Sequence, residues 1–245
     1  MNIALIPARG GSKRIPRKNV RMLHGHPLVA YSIHLALKSG LFSHVIVSTE
    51  DEEIAEVAQK YGACIPGLRP QELSEDLSPD ISWVTHAINT WSEIGSDDTI
   101  FLLRPTNPLR SVTSLLAARD AFEANPSVDS LRAMQRVREH PGKMWVKQEN
   151  GLVHPFLRQV ELTLPTHSSP TQMLESIYIQ NASLEVFKAK LVLDTSTITG
   201  DLILPFEMPG YESFDLNTQF DWDFLIYGLD KGFLELPQID ERDSI

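Results

Sequence analysis

The chain has 245 residues, 42% apolar and 22% charged, which excludes disorder and fibrous repeats and leaves room for one large α/β domain or two small ones. Its 22 Lys and Arg against 32 Asp and Glu give a formal net charge of −10, which speaks against general attraction to nucleic-acid phosphates. The single cysteine, Cys64, excludes a disulfide framework and a cysteine-rich zinc site, and no apolar run of about 18 residues offers a membrane span. In chain order, Asn2 to Ala8 is an apolar run closed by Gly10-Gly11, which predicts a buried strand ending in a turn. The run is too short for a signal peptide, so a cytoplasmic protein is expected. Pro27 to Leu37 reads as a helix, with Pro27 suited to the first turn and Gly40 beyond its end. Val45 to Ser48 predicts a second strand. Glu50 to Glu53 then put negative charge where a helix dipole favours it, and Ile54, Val57, Ala58 and Tyr61 follow at the spacing of a buried helical face.

Cys64 reads as a buried strand residue. Ile81, Val84, Ile88 and Trp91 mark another helix, Thr99 to Leu103 another strand, and Ser111 caps a helix carrying Leu115, Leu116 and Phe122. Between His140 and Pro170 the alternation breaks, with prolines and glycines punctuating short extended pieces. That stretch reads as an excursion from the sheet, either a flap or an arm for a partner subunit. Alternation resumes with a strand at Ile177 to Ile179, a helix from Leu184 to Lys190 and a final helix over Asp221 to Leu229. Strands alternating with helices predict an α/β fold, with a doubly wound, mostly parallel sheet covered on both faces. Ligands in such sheets bind beyond the carboxyl ends of the strands, which points to the loops after Ala8, Val47 and Leu103.

The first of these loops is unusual. Six of the thirteen residues from 9 to 21 are cationic: Arg9, Lys13, Arg14, Arg17, Lys18 and Arg21. Gly10-Gly11 allows close backbone approach to an anion, and so many cations suit several phosphates better than one carboxylate. The plainer readings are a solvated basic loop or a weak RNA contact. No P-loop or dinucleotide-type glycine pattern is present, and residues 9 to 21 contain no aromatic side chain on which a base would stack.

The stretch Leu5 to Lys13, continuing to Lys18-Asn19, resembles the opening signature of the acylneuraminate cytidylyltransferases, the CMP-sialic acid synthetases and their relatives. Ser48-Thr49-Glu50, Leu68-Arg69-Pro70, Leu103 to Arg110 and Phe214 to Asn217 fit in the same order. The resemblance covers most of the chain and implies a single nucleotidyltransferase domain over 1–245, with a protruding dimerisation arm at 140–170 that completes the acceptor pocket of a homodimer. It implies transfer of CMP from CTP to the anomeric hydroxyl of a nonulosonic or related 3-deoxy-ulosonic acid, with release of pyrophosphate. Arg9, Lys13 and Lys18 would act on the transferring phosphates, with Ala8, Gly10, Gly11, Ser12 and Asn19 around the nucleotide. Arg69 and the segment from Ser74 to Asp80 would read the cytosine, Ser78 foremost. On the acceptor side stand Arg104, Thr106 and Arg110, with Arg104 where the family often has Gln.

Asp215, Asn217 and Asp221 fall where the family has Asp-x-Asp-x-x-x-Asp, so Asp215 and Asn217 are the candidate ligands of Mg²⁺. Asn217 brings no charge. Asp221 reads first as a helix cap. No strong general base stands out, which implies that a metal lowers the pKa of the sugar hydroxyl. Before the Ile-Tyr-Ile strand the chain departs from the sialic acid-type pattern: Pro165 to Gln172 and Leu174-Glu175-Ser176 replace the family's usual sugar contacts. The histidines show no zinc spacing, and His140 reads as structural. Three alternatives stay open: the same chemistry on 3-deoxy-octulosonate, use of another nucleotide, or a nucleotide-sugar binding protein without turnover.

Overall fold

The computed structural model describes residues 1–157 and 164–239. In chain order the elements are β1 (Asn2–Pro7), β2 (Met22–Leu23), β3 (His26–Pro27), α1 (Leu28–Lys38), β4 (His44–Ser48), α2 (Glu52–Lys60), α3 (Asp80–Thr90), β5 (Thr99–Leu102) and α4 (Val112–Glu123). Then follow β6 (Ser130–Arg136), β7 (Trp145–Lys147), β8 (Val153–Pro155), β9 (Tyr178–Lys188), α5 (Ala189–Thr195), β10 (Ile203–Glu207) and α6 (Gln219–Asp230). The chain divides into two compact units, residues 1–133 with 181–245, and residues 134–180. The second is longer at both ends than the expected 140–170.

The first unit is built on a six-stranded sheet in the order β10-β6-β9-β5-β1-β4. Its centre is parallel, with β1 pairing β4 and β5, whereas β9 lies antiparallel to β5. Alternate residues of β1 serve opposite faces, as strand geometry requires. Ala4 and Ile6 join a core with Val29 and Ile33 of α1, Ile54 of α2 and Leu115 of α4, while Ile3 and Leu5 join another with Trp83, Val84 and Ile88 of α3. Both faces are therefore covered, and the inner strands are buried along their length. A third cluster packs α6, through Trp222 and Leu225, onto Ile15, Leu28 and Tyr31.

The helix expected from Leu184 is instead the second half of β9, and α5 begins only at Ala189. Leu184, Val186 and Phe187 are all buried because β9 is covered on both faces, and a strand with apolar residues on both faces loses the two-residue alternation that separates it from a helix. Strands β6 and β10 were not anticipated. Cys64 is half-buried, on an isolated bridge beside Ile46 rather than within a strand.

In the second unit β7 and β8 form an antiparallel pair, with Trp145 opposite Pro155, and the Trp145 ring lies 4.7 Å from that of His167. His140 Nδ1 accepts from Gly142 N at 2.9 Å, and its Nε2 lies 3.0 Å from the Glu175 carbonyl, so both ring nitrogens serve the fold. No helix among the described residues is long and apolar enough to cross a membrane.

Candidate active site

Because β1, β4 and β5 run parallel, their carboxyl ends share one sheet edge: Pro7 lies in register with Ser48, and Leu5 with Leu102. At that edge the loops after β1 and β5, with the stretch between α2 and α3 and Asn217, surround a cavity of about 300 Å³; the short loop after β4, expected to join them, does not line it. The loop after β1 owes its path to a set of internal anchors. Arg17 adopts a left-handed φ of 52° and its guanidinium pairs with Asp51 and Glu53 at the start of α2. Asp51 also caps that helix, accepting from Ile54 N at 3.0 Å. A Cβ on Gly10 would fall 2.4 Å from Asp51 Oδ2, so a side chain there would have to push aside a carboxylate that Arg17 and the helix start hold. Buried Asn19 donates from Nδ2 to the Arg9 carbonyl at 2.9 Å.

These anchors bring Arg9, Ser12, Lys13, Lys18 and Asn19 to the cavity, and Arg14 with them. Lys18 donates from Nζ to the Leu216 carbonyl at 2.7 Å. Burial, reinforced by the charges of Arg14 and Arg9 and opposed by Asp215, pulls its pKa down to about 8. From the stretch between α2 and α3 comes Arg69, which donates to the Ser48 carbonyl at 2.6 Å and lies 4.9 Å from the Trp83 ring. Burial lowers the Arg69 pKa to about 10. Ser78 lines the cavity too, its hydroxyl donating to the Glu72 carbonyl at 2.6 Å.

From the loop after β5 come Arg104 and Thr106. Arg104 is already matched. Its Nη2 lies 2.6 Å from Asp80 Oδ2 and 3.2 Å from Glu185 Oε1, and Glu185 Oε2 lies 3.0 Å from Arg132. Antiparallel pairing puts Glu185 opposite Leu102, two residues from Arg104. Burial alone would lower the Arg104 pKa, yet Asp80 and Glu185 raise it, so the guanidinium stays charged.

Other candidates lie elsewhere. Ala8 is fully buried, and the Gly10 amide donates to Glu50 Oε1 at 2.7 Å, so it is not offered to a ligand. Gly11 does not line the cavity, and neither does Arg110, which is 1% exposed and donates to the Arg104 and Ser183 carbonyls. Arg110 therefore ties the loop after β5 to β9 from below. Asn217 lines the cavity, its Oδ1 accepting from Arg14 at 3.1 Å, while its Nδ2 donates to Asp215 Oδ2. The other oxygen of Asp215 is buried with no partner among the described residues. Asp221 closes a capping box with Thr218 at the start of α6, which occupies its Oδ2. Among the described residues no three His, Cys, Asp or Glu gather in a way that would hold a metal.

Sequence reasoning missed the carboxylates facing these cations. Asp76 bridges Arg9 and Lys13, and Asp80 pairs Arg104. The acids of the Ser74 to Asp80 segment were in view, but Asp80 passes for a helix-start residue and Glu185 sat in a stretch read as helix. Six cations line the cavity against the carboxylates of Glu75, Asp76 and Asp80, an excess of positive charge in a chain of net −10. Such a site is built for a small polyanion. A profile described as cytidylyltransferase matches residues 3–196. The chain belongs to the cytidylyltransferase family. It is accordingly a nucleotidyltransferase.

This cytidylyltransferase is 32% identical over 225 residues to CMP-N,N'-diacetyllegionaminic acid synthase of Legionella pneumophila, covering 90% of this chain and 92% of that one. It is 35% identical over 225 residues to pseudaminic acid cytidylyltransferase of Campylobacter jejuni, covering 91% and 94%. Among solved structures, CMP:2-keto-3-deoxy-manno-octonic acid synthetase complexed with CTP superposes with a TM-score of 0.67 at 13% identity, over 94% of this chain and 99% of that one. At that identity the likeness shows the fold, a nucleotidyltransferase α/β architecture.

Proposed function

We propose that this cytidylyltransferase transfers CMP from CTP to the anomeric hydroxyl of a nonulosonic acid or a related 3-deoxy-ulosonic acid, releasing pyrophosphate. The observation that carries this reading is the cation-lined cavity at the carboxyl ends of β1, β4 and β5 in a member of this family. The names of its relatives, both acting on nonulosonic acids, support the acceptor class. Arg9, Lys13 and Lys18 hold the triphosphate, with Ser12 and Asn19 beside them. Attack at the α-phosphorus gathers charge on its oxygens and on the departing pyrophosphate, and fixed cations lower that cost. Losing one well-placed contact of this kind costs about 3 kcal/mol of barrier. Ser78 and Arg69 frame the base, and Thr106 with Arg104 the acceptor side.

The residues present fit a divalent cation held largely by phosphate oxygens and water. Asp215 has a buried oxygen with no partner among the described residues and would be the protein's ligand, whereas the Asn217 amide is taken up by Arg14 and by Asp215 itself. Bound Mg²⁺ would neutralise phosphate charge and lower the pKa of a coordinated hydroxyl. The test is pyrophosphate release with each nucleoside triphosphate against a panel of sugar acids that includes 3-deoxy-octulosonate, with and without Mg²⁺. Release with CTP and a nonulosonic acid, only when Mg²⁺ is present, is expected. CTP binding without release on any acceptor overturns the enzymatic reading in favour of a binding protein.

A homodimer belongs to this reading. The second unit exposes Trp145, Val146, Leu152, Val153 and Phe156, apolar surface of the kind that a partner subunit covers.

A further inference from the structure

Arg9 and Lys13, two of the cations assigned to the triphosphate, face one carboxylate. Asp76 Oδ1 lies 3.1 Å from Arg9 Nη1, and Asp76 Oδ2 lies 2.5 Å from Lys13 Nζ. One acidic group thus bridges two cations with its two oxygens, the way neighbouring phosphate oxygens would. The segment that carries it is held in place. Arg9 Nη1 also reaches the Ser74 carbonyl at 3.4 Å, Ser78 N donates to the Glu75 carbonyl at 3.2 Å, and the Ser78 hydroxyl grips the Glu72 carbonyl. The hydrogen bond from Lys13, with the charges of Lys13 and Arg9, keeps the Asp76 carboxyl below the usual carboxylate range.

We propose that Asp76 is a built-in stand-in for phosphate, which competes with the terminal phosphates of the nucleotide, and with released pyrophosphate, for Arg9 and Lys13. This rests on the reading that those two cations hold the triphosphate. A polyphosphate entering the site displaces Asp76, and pyrophosphate leaving the site gives the cations back to it. The carboxylate therefore weakens CTP and pyrophosphate by a similar factor and leaves CMP, which lacks the terminal phosphates, nearly untouched. Both partners of Asp76 are substantially exposed, so the pair is weak enough to be exchanged in each turnover.

The test is calorimetric titration of the full chain with inorganic pyrophosphate, CTP and CMP. Asp76→Asn keeps the shape of the side chain and removes its charge. Asp76→Ala is the second variant, and Glu72→Gln removes an equal charge from the same segment outside the cavity. Both Asp76 variants are expected to bind pyrophosphate and CTP about three- to tenfold more tightly, with CMP and the Glu72→Gln control within about twofold of the starting protein. Unchanged or weaker pyrophosphate binding in the Asp76 variants, with CTP still bound, overturns the inference, as does an equal gain in Glu72→Gln. A starting protein that binds neither CTP nor pyrophosphate instead sinks the nucleotide reading itself.

Discussion

At Lys18 two tendencies oppose each other. The side chain must be charged to hold a phosphate, yet it is buried beside Arg9 and Arg14, and its pKa falls to about 8. A bound polyphosphate reverses the imbalance and raises that pKa, so nucleotide binding takes up a proton once the pH exceeds about 8. Below pH 8 the ammonium is intact and affinity for CTP is expected to be flat. Above it, Kd should rise by up to about tenfold per pH unit until the pKa of the bound state is passed. Lys18→Arg, which stays protonated at these pH values, should flatten the profile while leaving binding measurable. A profile of the same steepness in Lys18→Arg would assign the titration to another group.

On the level of elements, α6 shows how a helix start supports a neighbouring loop. Thr218 and Asp221 exchange capping bonds, and Asp221 also receives the Asn217 amide at 2.9 Å. Thr218→Ala is expected to cost about 1 kcal/mol of stability in thermal or urea unfolding, the usual loss for a removed cap. An unchanged midpoint would show that the box carries no net energy. The N-cap itself, Thr218, was not read, and the helix starts two residues earlier than expected. Asp221 was legible as a capping residue because it precedes Trp222 and Phe224 in an amphipathic run, as Ser111 was for α4. Glu185 was not. Its neighbours Leu184, Val186 and Phe187 are apolar on both sides of the chain, so no period separated strand from helix, and its partnership with Arg104 arises only from β5–β9 pairing. The Gly10 amide went astray for a similar reason: nothing local announces that Glu50, forty residues later, accepts from it.

For the molecule as a whole, the parallel centre, the site edge and the cation loop were all readable from apolar runs and charge clustering. What stayed hidden was the set of acids that neutralise the cations, because ion pairing across loops depends on tertiary approach. The proposed dimer is tested by sedimentation. A dimer is expected, and the double substitution Val153→Glu with Phe156→Glu, both side chains more than half exposed, should yield a monomer with lower acceptor affinity. A monomeric starting protein with full activity would contradict it. One last consequence concerns Asp51, which caps α2, holds Arg17 and fills the space that a larger residue than Gly10 would need. Chimaeras that graft the first forty residues of a relative onto this chain should work only when donor and recipient agree at all three positions, whatever their similarity elsewhere.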